Sequence, residues 1–211
     1  MSYDSIILAS ASERRSRLLR QIGVRHEVMA MDLDESRHDG EPARDHVLRL
    51  ACGKAGAAVK ALGASADRPV LAADTVVVLD GTLYGKPADE DGCVAILAAL
   101  AGRTHEVLTA VAVLHAGRLA TALSESRVSF RAIDEAECRR YWATGEPAGK
   151  AGAYAIQGRG AVFVSRIEGS HSGVVGLPLF ETAALLDAAG VRRWQPERPH
   201  GRAGPSGRQV P

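Results

Sequence analysis

The 211-residue sequence predicts an α/β fold with a mixed central sheet flanked by helices. Two observations support this prediction. Short apolar runs rich in β-branched residues alternate with segments in which apolar residues recur every three or four positions. Glycine, proline and aspartate separate these segments along most of the chain. Alternation of strands and helices in this way is typical of α/β proteins, in which helices pack on the faces of one sheet.

The first half of the chain is predicted to contain three strands and three helices. Ser12 is the predicted N-cap of the first helix, because a serine hydroxyl accepts a hydrogen bond from the first helical turn. The Asp80-Gly81 pair predicts a tight turn after the third strand. In order, the elements are the strand SIILAS, a helix over 12–22, the strand HEVMAMDLDES, which runs into an acidic loop, a helix over 43–62, the strand PVLAADTVVVLDG and a helix from Asp89 to Gly102.

The second half of the chain continues the alternation. Its predicted elements are a hairpin, HEVLTAVAVLHAGRLATALSESRVSF, that turns near Gly117, a short helix over 134–142, the strand AVFVSRIEGS and a final helix, LPLFETAALLDAAG. Pro178 at the start of this last helix and Gly190 at its end are typical helix boundaries. From residue 192 onward the periodicity is lost and proline, glycine and arginine accumulate. We therefore predict one domain over 1–191 and a disordered basic tail over 192–211.

The composition excludes several classes of function. The formal net charge is +1 at pH 7, so the chain has no bulk attraction for nucleic acid or for a membrane surface. Cys52, Cys93 and Cys138 form no CxxC pair and predict reduced thiols. There is no signal-peptide pattern, and no apolar run approaches the roughly 18 residues of a membrane span. We expect a cytoplasmic protein that binds neither nucleic acid nor membrane.

Two arginines lie at the predicted start of the first helix, where the helix dipole favours anions over cations. On a helical wheel Arg15 falls on the apolar stripe of Leu18 and Leu19, and Arg14 lies at its edge. An arginine that faces inward needs a partner, because an unpaired buried charge is costly. Free N–H groups at a strand–turn–helix start bind phosphate, so the two arginines would suit a polyphosphate. The alternative is that they pair with nearby carboxylates or face solvent.

Two lysines also lie at positions that are unusual for a charged residue. Lys54 lies near the middle of the apolar stripe of the long helix over 43–62, where lysine is rarely buried without a partner. Lys86, in YGKP, follows a turn and precedes a proline that holds the backbone extended. Each ammonium group could serve as a point charge for phosphate in a cleft. For Lys54 the alternative is that its aliphatic stem lies on the core and its charge reaches solvent.

Acidic residues oppose these cations in two places. Asp74 stands inside the apolar segment LAADTVV and is the most anomalous residue of the sequence. It either accepts backbone N–H bonds in a structural role or works with Glu35, from the acidic loop MDLDES, to hold a hard divalent cation such as Mg²⁺ or Mn²⁺. A metal ion facing several cations is typical of sites that cleave phosphoanhydride bonds.

A glycine-rich segment, GKAGAYAIQGRGAVFV, allows backbone to approach a ligand closely. Within it, the Gln157 amide both donates and accepts hydrogen bonds and could read the edge of a base. The sequence contains no GxxxxGK[ST] loop, and its GRG lacks a following helix pattern, so neither a P-loop nor a Rossmann fold is indicated. His105 is predicted to be a structural hydrogen-bonding residue and not a catalytic base.

Seven blocks of this sequence, in order, resemble the Maf family of nucleoside triphosphate pyrophosphatases. They are LASASERRSRLL, DLDES, RLACGKA, AADTVVVLDGTLYGKP, LAGRTHEVLTAV, GKAGAYAIQGRGAVFV and GSHSGVVGLPLFET. The resemblance covers about 6–190 and implies an ITPase-like fold with a nucleotide cleft between two lobes. It implies a cytoplasmic, metal-dependent enzyme, often a homodimer, that cleaves between the α- and β-phosphates and releases a monophosphate and pyrophosphate.

The resemblance also implies roles for particular residues. Asp74 matches the general base of the family, and Lys54 and Lys86 match its two lysines. Glu35 matches its acidic loop residue. The phosphate-binding turn corresponds to Ser10, Arg14 and Arg15.

Three positions distinguish branches of the family, and here they are Arg14, Thr75 and Gln157. They resemble the branch that acts on dTTP and UTP more than the branch that acts on 7-methyl-GTP. One departure is Glu13, because the family usually has proline before the double arginine. A carboxylate there suits the helix dipole but could compete with phosphate for Arg14 or Arg15.

Two other functions stay open at this point. The chain could be a nucleotide-sensing regulator of cell division or septum formation with little turnover. It could also be a house-cleaning pyrophosphatase for damaged purine nucleotides.

Overall fold

The computed structural model describes residues 2–63 and 67–194, and its centre is a seven-stranded mixed sheet. The strands are β1 (Ser5–Leu8), β2 (Arg25–Val28), β3 (Val70–Leu79), β4 (Thr82–Tyr84), β5 (Thr104–His115), β6 (Arg118–Phe130) and β7 (Val164–Glu168). The helices are α1 (Glu13–Gln21), α2 (Ala43–Leu62), α3 (Glu90–Leu100), α4 (Glu135–Trp142), α5 (His171–Val175) and α6 (Leu179–Ala188). Two 3₁₀ turns, Ala151–Ala153 and Arg159–Phe163, lie between α4 and β7. The predicted mixed sheet with flanking helices is confirmed.

The sheet combines a parallel part with an antiparallel part. Its strand order is β2-β1-β3-β5-β6-β7, and β4 pairs with the end of β3. β1 runs parallel to β2 and β3, whereas β5, β6 and β7 continue the sheet with antiparallel pairs. The β3–β4 and β5–β6 hairpins turn at Asp80-Gly81 and Ala116-Gly117, whose positive φ angles are those of two-residue turns of type I′.

Each face of the sheet carries its own apolar core. On one face, Val47, Ala51, Ala55 and Ala58 of α2 pack against the sheet. On the other face, apolar residues of α1, α3, α4, α5 and α6 form a second core. Because small residues line α2, this long helix lies close to the central strands and can bring a polar side chain to them.

Side-chain alternation along β3 divides its residues between the two cores. Ala72 and Val76 belong to the core beneath α2, and Ala73 and Val77 belong to the opposite core. Since successive residues of a strand point to opposite faces, Asp74 is directed to the α2 face and Thr75 to the face that carries α1.

The sheet has an opening beside Asp74 and Thr75. β5 pairs with β3 along 70–78, so β1 and β4 share the other side of β3. There β1 pairs with Val70 and Leu71, and β4 pairs with Val77–Leu79. In the described part of the chain, 72–76 has no strand partner on that side. Sheets of this type bind ligands in such crevices, beyond the carboxyl ends of parallel strands.

Most predicted elements are confirmed to within a few residues, and four differences are local. The second strand ends at Val28, and the strand predicted from AVFVSRIEGS begins only at Val164, because 161–163 belong to a 3₁₀ turn. β4 and α5, of three and five residues, are too short to show a sequence period and were not predicted. The predicted disordered tail lies outside the described residues from 195 onward.

Other predictions of the sequence analysis concern thiols and membranes. The three cysteines are free thiols, as predicted. None of the helices in the described ranges combines the length and apolarity needed to cross a membrane.

Candidate active site

A cleft of about 560 Å³ opens beside the unpaired stretch of β3. All nine predicted site residues line it: Ser10, Arg14, Arg15, Glu35, Lys54, Asp74, Thr75, Lys86 and Gln157. They come from six separate segments of the chain, which the sheet opening brings together. The turn after β1 and the first turn of α1 supply the first three residues. The others come from the acidic loop, the middle of α2, the centre of β3, the segment after β4 and the glycine-rich segment.

Arg15 is fixed at the floor of the cleft by neutral oxygen atoms. Its Nε donates to the Gly176 carbonyl at 2.8 Å, its Nη1 to Ser10 Oγ at 3.1 Å and its Nη2 to Thr75 Oγ1 at 3.2 Å. Burial lowers the pKa of this guanidinium, and the negative charge of Asp74 opposes that effect. The alternative in which these arginines pair with carboxylates is wrong for Arg15, which forms no ion pair with the described residues.

Thr75 is itself held by a second threonine. Thr75 Oγ1 lies 2.9 Å from Thr109 Oγ1, and Thr109 donates its own proton to the Gly173 carbonyl at 2.8 Å. Since a hydroxyl has one proton, Thr75 donates to Thr109 and accepts from Arg15. This chain of hydrogen bonds fixes the orientation of the guanidinium from the side of the sheet.

Arg14 is partly buried at the entrance to α1, and burial lowers its pKa. It forms no hydrogen bond or ion pair with the residues that the structure describes. The concern that Glu13 occupies it is not supported by the geometry: the Glu13 carboxylate instead pairs with Arg20 at 2.5 Å and with Arg17 at 3.4 Å, on the exposed side of the helix. The Ser12 side chain forms no capping bond, although Ser12 is the N-cap residue as predicted.

Lys54 joins two carboxylates across the cleft. Its Nζ lies 2.7 Å from Asp74 Oδ1 and 2.5 Å from Glu35 Oε1. The side chains of Lys54 and Asp74 are 9% and 10% exposed, so this pair is buried. The alternative in which the lysine charge reaches solvent is therefore wrong. Asp74 points to the face of the sheet on which α2 packs, and Lys54 reaches it from that helix.

Lys86 extends this arrangement toward the surface. Its Nζ lies 3.3 Å from Glu35 Oε2, so one carboxylate bridges two ammonium groups. Partial burial alone would raise the pKa of Glu35, but the hydrogen bond and charge of Lys54, followed by those of Lys86, outweigh burial and lower it. Glu35 is consequently ionised at neutral pH.

Gln157 extends from a tightly packed segment into the cleft. The side chain of Gln157 is exposed, whereas residues 152–156 before it are buried. Beneath them the Tyr154 hydroxyl lies 3.0 Å from His105 Nε2, and burial lowers the pKa of His105 to about 4. The structural role predicted for His105 is confirmed.

Two residues that line the cleft, and a third that contacts it only through Thr75, were not found from the sequence. Gly176 binds Arg15 through its backbone, which leaves no sequence signal. Thr109, which binds the Gly173 carbonyl, is of a residue type that is common in strands and therefore gives no signal. Lys150 lines the cleft, and burial and then the positive charge of Arg14 lower its pKa. Its place in the glycine-rich segment, among small residues, was a signal that could have drawn attention to it.

Comparisons with known proteins identify close relatives. A family described as Maf-like protein matches residues 5–189. The dTTP/UTP pyrophosphatase of Bordetella parapertussis is 53% identical over 192 residues, which cover 88% of this chain and 93% of that protein. The dTTP/UTP pyrophosphatase of Burkholderia pseudomallei strain K96243 is 54% identical over 200 residues, covering 90% and 96%. That of Saccharophagus degradans is 51% identical over 192 residues, covering 90% and 91%.

Among solved structures, the Ham1 protein of Staphylococcus aureus matches with a TM-score of 0.39 and 18% identity, over 62% of this chain and 72% of that chain. This similarity is too low to support a conclusion about fold or function.

Proposed function

This chain belongs to the Maf-like protein family, and on that basis we propose that it hydrolyses dTTP and UTP to the nucleoside monophosphate and pyrophosphate. The observation that carries this proposal is the distribution of charge in the cleft. One group of cations is neutralised by carboxylates, and a second group has no carboxylate partner among the residues that the structure describes. A triphosphate would supply the missing negative charge.

Asp74 is the proposed general base. Lys54 engages one of its carboxylate oxygens, Oδ1, and fixes the carboxyl group in the cleft. The second oxygen can then accept a proton from a water molecule that attacks the α-phosphorus. The bond between this phosphorus and the bridging oxygen breaks, and the electron pair leaves with pyrophosphate. Proton acceptance at a positioned carboxylate is a common form of general base catalysis.

The basic residues are proposed to bind and stabilise the phosphates. Arg15, oriented by three hydrogen bonds, presents a fixed positive charge to the triphosphate, and Arg14 adds a second guanidinium. Ser10 holds Arg15 and completes the turn at the start of α1. Lys86, exposed at the edge of the cleft, can neutralise charge that develops on the departing pyrophosphate.

Glu35 and Asp74 fit the requirements of a hard divalent cation. Mg²⁺ binds proteins through one or two carboxylates together with substrate phosphates, so these two side chains suffice. In the described ranges there is no cluster of three or more histidine, cysteine or acidic residues that could hold a metal. We propose that Glu35 and Asp74 hold Mg²⁺ or Mn²⁺ together with the substrate. When bound, such an ion supplies Lewis-acid stabilisation of phosphate charge.

In this proposal Gln157 selects the base of the nucleotide, and Thr75 follows the general base, Asp74, in the sequence. The amide of Gln157 can pair with both the N3–H donor and a carbonyl acceptor of a uracil or thymine edge.

All of the proposed site residues belong to one chain, so the proposed chemistry needs no residue from a second copy. Light scattering tests the homodimer that the family resemblance implies. We propose that the enzyme acts in the cytoplasm.

A panel of nucleotides tests this proposal. The purified protein is incubated with Mg²⁺ or Mn²⁺ and with UTP, dTTP, GTP, 7-methyl-GTP or ITP, and pyrophosphate and orthophosphate are measured separately. We expect pyrophosphate from UTP and dTTP and little from the other nucleotides. Release of orthophosphate would contradict cleavage at the α-phosphorus. Tight nucleotide binding without turnover would favour the sensing function, and preference for ITP would favour purine house-cleaning.

A further inference from the structure

Glu146, which lies outside the cleft, is the centre of a hydrogen-bond cluster that holds the segment carrying Gln157. The Tyr141 hydroxyl donates to Glu146 Oε1 at 2.7 Å. The backbone N–H of Arg159 donates to Oε2 at 3.0 Å, and that of Gly160 donates to Oε1 at 2.9 Å. One carboxylate therefore receives three donors, two of them from the backbone directly after Gln157.

The same cluster binds the backbone before Gln157. The Tyr141 hydroxyl donates to Glu146 and also accepts from the backbone N–H of Ala155 at 3.1 Å. Glu146 and Tyr141 thus hold the chain on both sides of the glutamine, two residues before it and two to three residues after it. A loop held at both ends by hydrogen bonds has few accessible backbone conformations.

Two glycines leave room for this cluster. A Cβ at position 158 would lie 2.3 Å from Glu146 Oε2, and a Cβ at position 160 would lie 2.6 Å from the Tyr141 hydroxyl. Neither distance is sterically possible without displacement of the acceptor or of the backbone. The glycines of the GRG sequence that follows Gln157 are therefore explained by contact with the carboxylate and the phenol.

The charge of Glu146 is stable near neutral pH. Burial alone would raise its pKa, but the hydrogen bonds from Tyr141, Arg159 and Gly160 outweigh burial and lower the pKa. Burial and the neighbouring carboxylate raise the pKa of Tyr141, which therefore keeps its proton. The donor and acceptor roles in the cluster are fixed across the pH range in which an enzyme of this kind is assayed.

We propose that Glu146 is a positioning residue that, with Tyr141, holds Gln157 in the orientation that selects the base of the nucleotide. This inference rests on the proposed function and adds to it a residue that does not line the cleft. Its effect reaches the substrate only through the segment around Gln157. Loss of the carboxylate should accordingly change which nucleotide is preferred more than how fast phosphate bonds are broken.

The test measures the ratio of kcat/KM for UTP to kcat/KM for GTP. This ratio is insensitive to partial unfolding, because an inactive fraction lowers both values equally. In Glu146→Gln, the amide oxygen can accept from two donors at most, and the NH₂ group faces an N–H or O–H donor. We expect the ratio to fall about tenfold, as for the loss of a hydrogen bond to a charged group. Glu137→Gln, in which the carboxylate of α4 loses its bonds to Arg131, is the matched control and should keep the wild-type ratio.

A double-mutant cycle identifies the route of the effect. If Glu146 acts through Gln157, adding Glu146→Gln to Gln157→Ala should lower the ratio no further than Gln157→Ala alone. The inference is overturned if the losses multiply in the double mutant, or if Glu146→Gln or Gln157→Ala keeps the wild-type ratio. In either case, release of pyrophosphate from UTP by the wild type would leave the proposed function intact. Absence of that release in the wild type overturns both.

A second variant keeps the test decisive if Glu146→Gln does not fold. Tyr141→Phe removes the hydroxyl that connects Glu146 to the Ala155 N–H and leaves the aromatic ring in the core. We expect a smaller fall of the ratio in the same direction, about threefold, because the Glu146 carboxylate still accepts from the backbone N–H groups of Arg159 and Gly160. An unchanged ratio in this variant overturns the inference.

Discussion

The cleft contains two sets of cations that differ in how the protein neutralises them. The first set, Lys54 and Lys86, is bound by the carboxylates of Glu35 and Asp74. The second set, Arg14 and Arg15, forms no ion pair with the described residues, and Arg15 is held by neutral oxygens alone. Lysine ammonium groups occupy the positions between carboxylates, and arginine guanidinium groups occupy the helix start.

This difference indicates a structural task for the first set and a binding task for the second set. Lys54 stabilises the buried carboxylate of Asp74, which would be costly alone, and Lys86 pairs with the partly exposed Glu35. The first set therefore contributes to the fold as well as to the cleft. The arginines lie at the positive end of a helix dipole and repel one another, so their arrangement is unfavourable until an anion arrives. The first set should therefore affect stability and turnover together, and the second set should affect substrate affinity alone.

The largest effect is expected for Asp74→Asn. The amide has no capacity to accept a proton from water at neutral pH, so kcat for UTP should fall about 10²- to 10⁴-fold. Steady-state pyrophosphate release measures it, and circular dichroism checks the fold. Asp80→Asn is the control, because Asp80 is an exposed aspartate at the end of the same strand and asparagine tolerates its positive φ. Wild-type turnover in Asp74→Asn would remove the general-base assignment.

Lys54→Met tests the structural task of the first set. Without the ammonium group, the Asp74 carboxylate is buried without its partner and faces Glu35, so the free energy of unfolding should fall by about 3 kcal/mol. Urea denaturation without divalent metal measures this change. Lys60→Met, in the exposed last turn of the same helix, should have little effect. Equal stability of the two variants would show that the lysine does not stabilise the carboxylate pair.

The anomalies that identify the first set are visible in the sequence, whereas its pairings are not. Asp74 and Lys54 each interrupt an apolar pattern, and an interruption of this kind is readable because the pattern around it is regular. The sequence does not show that Lys54 lies between Glu35 and Asp74, because that geometry depends on the register of β3 and on how closely α2 packs on it. Periodicity fixes which face a residue occupies, but not its partner from a distant element.

The features missed from the sequence are those without a distinctive residue type. Arg15 binds the Gly176 carbonyl, 161 positions away along the chain, and any residue has a carbonyl. Glu146 reads as a surface loop glutamate, although it binds the backbone on one side of Gln157. The fold class and most members of the cleft were thus accessible from sequence patterns and from the family resemblance, and the hydrogen bonds that orient them required coordinates.

Arg14→Ala tests the binding task of the second set. Because Arg14 has no hydrogen-bond or ion-pair partner among the described residues, its removal should leave the melting temperature unchanged and raise KM for UTP about tenfold. The control is Arg17→Ala, on the outer face of the same helix, which should leave KM unaltered. A clear loss of stability in Arg14→Ala would mean that this arginine also belongs to the structural set.

The smallest effect is expected for Glu13→Gln, which tests whether the second set is truly without a carboxylate partner. Glu13 directly precedes Arg14 in the sequence, yet its carboxylate pairs with Arg17 and Arg20 on the exposed face. If this geometry holds in solution, KM for UTP should change less than about twofold at low salt, since exposed ion pairs are weak. A several-fold fall in KM would mean that Glu13 competes with the triphosphate for the arginines. The two sets would then differ in the strength of their neutralisation and not in its presence, and the charge available to the substrate would depend on displacing a carboxylate.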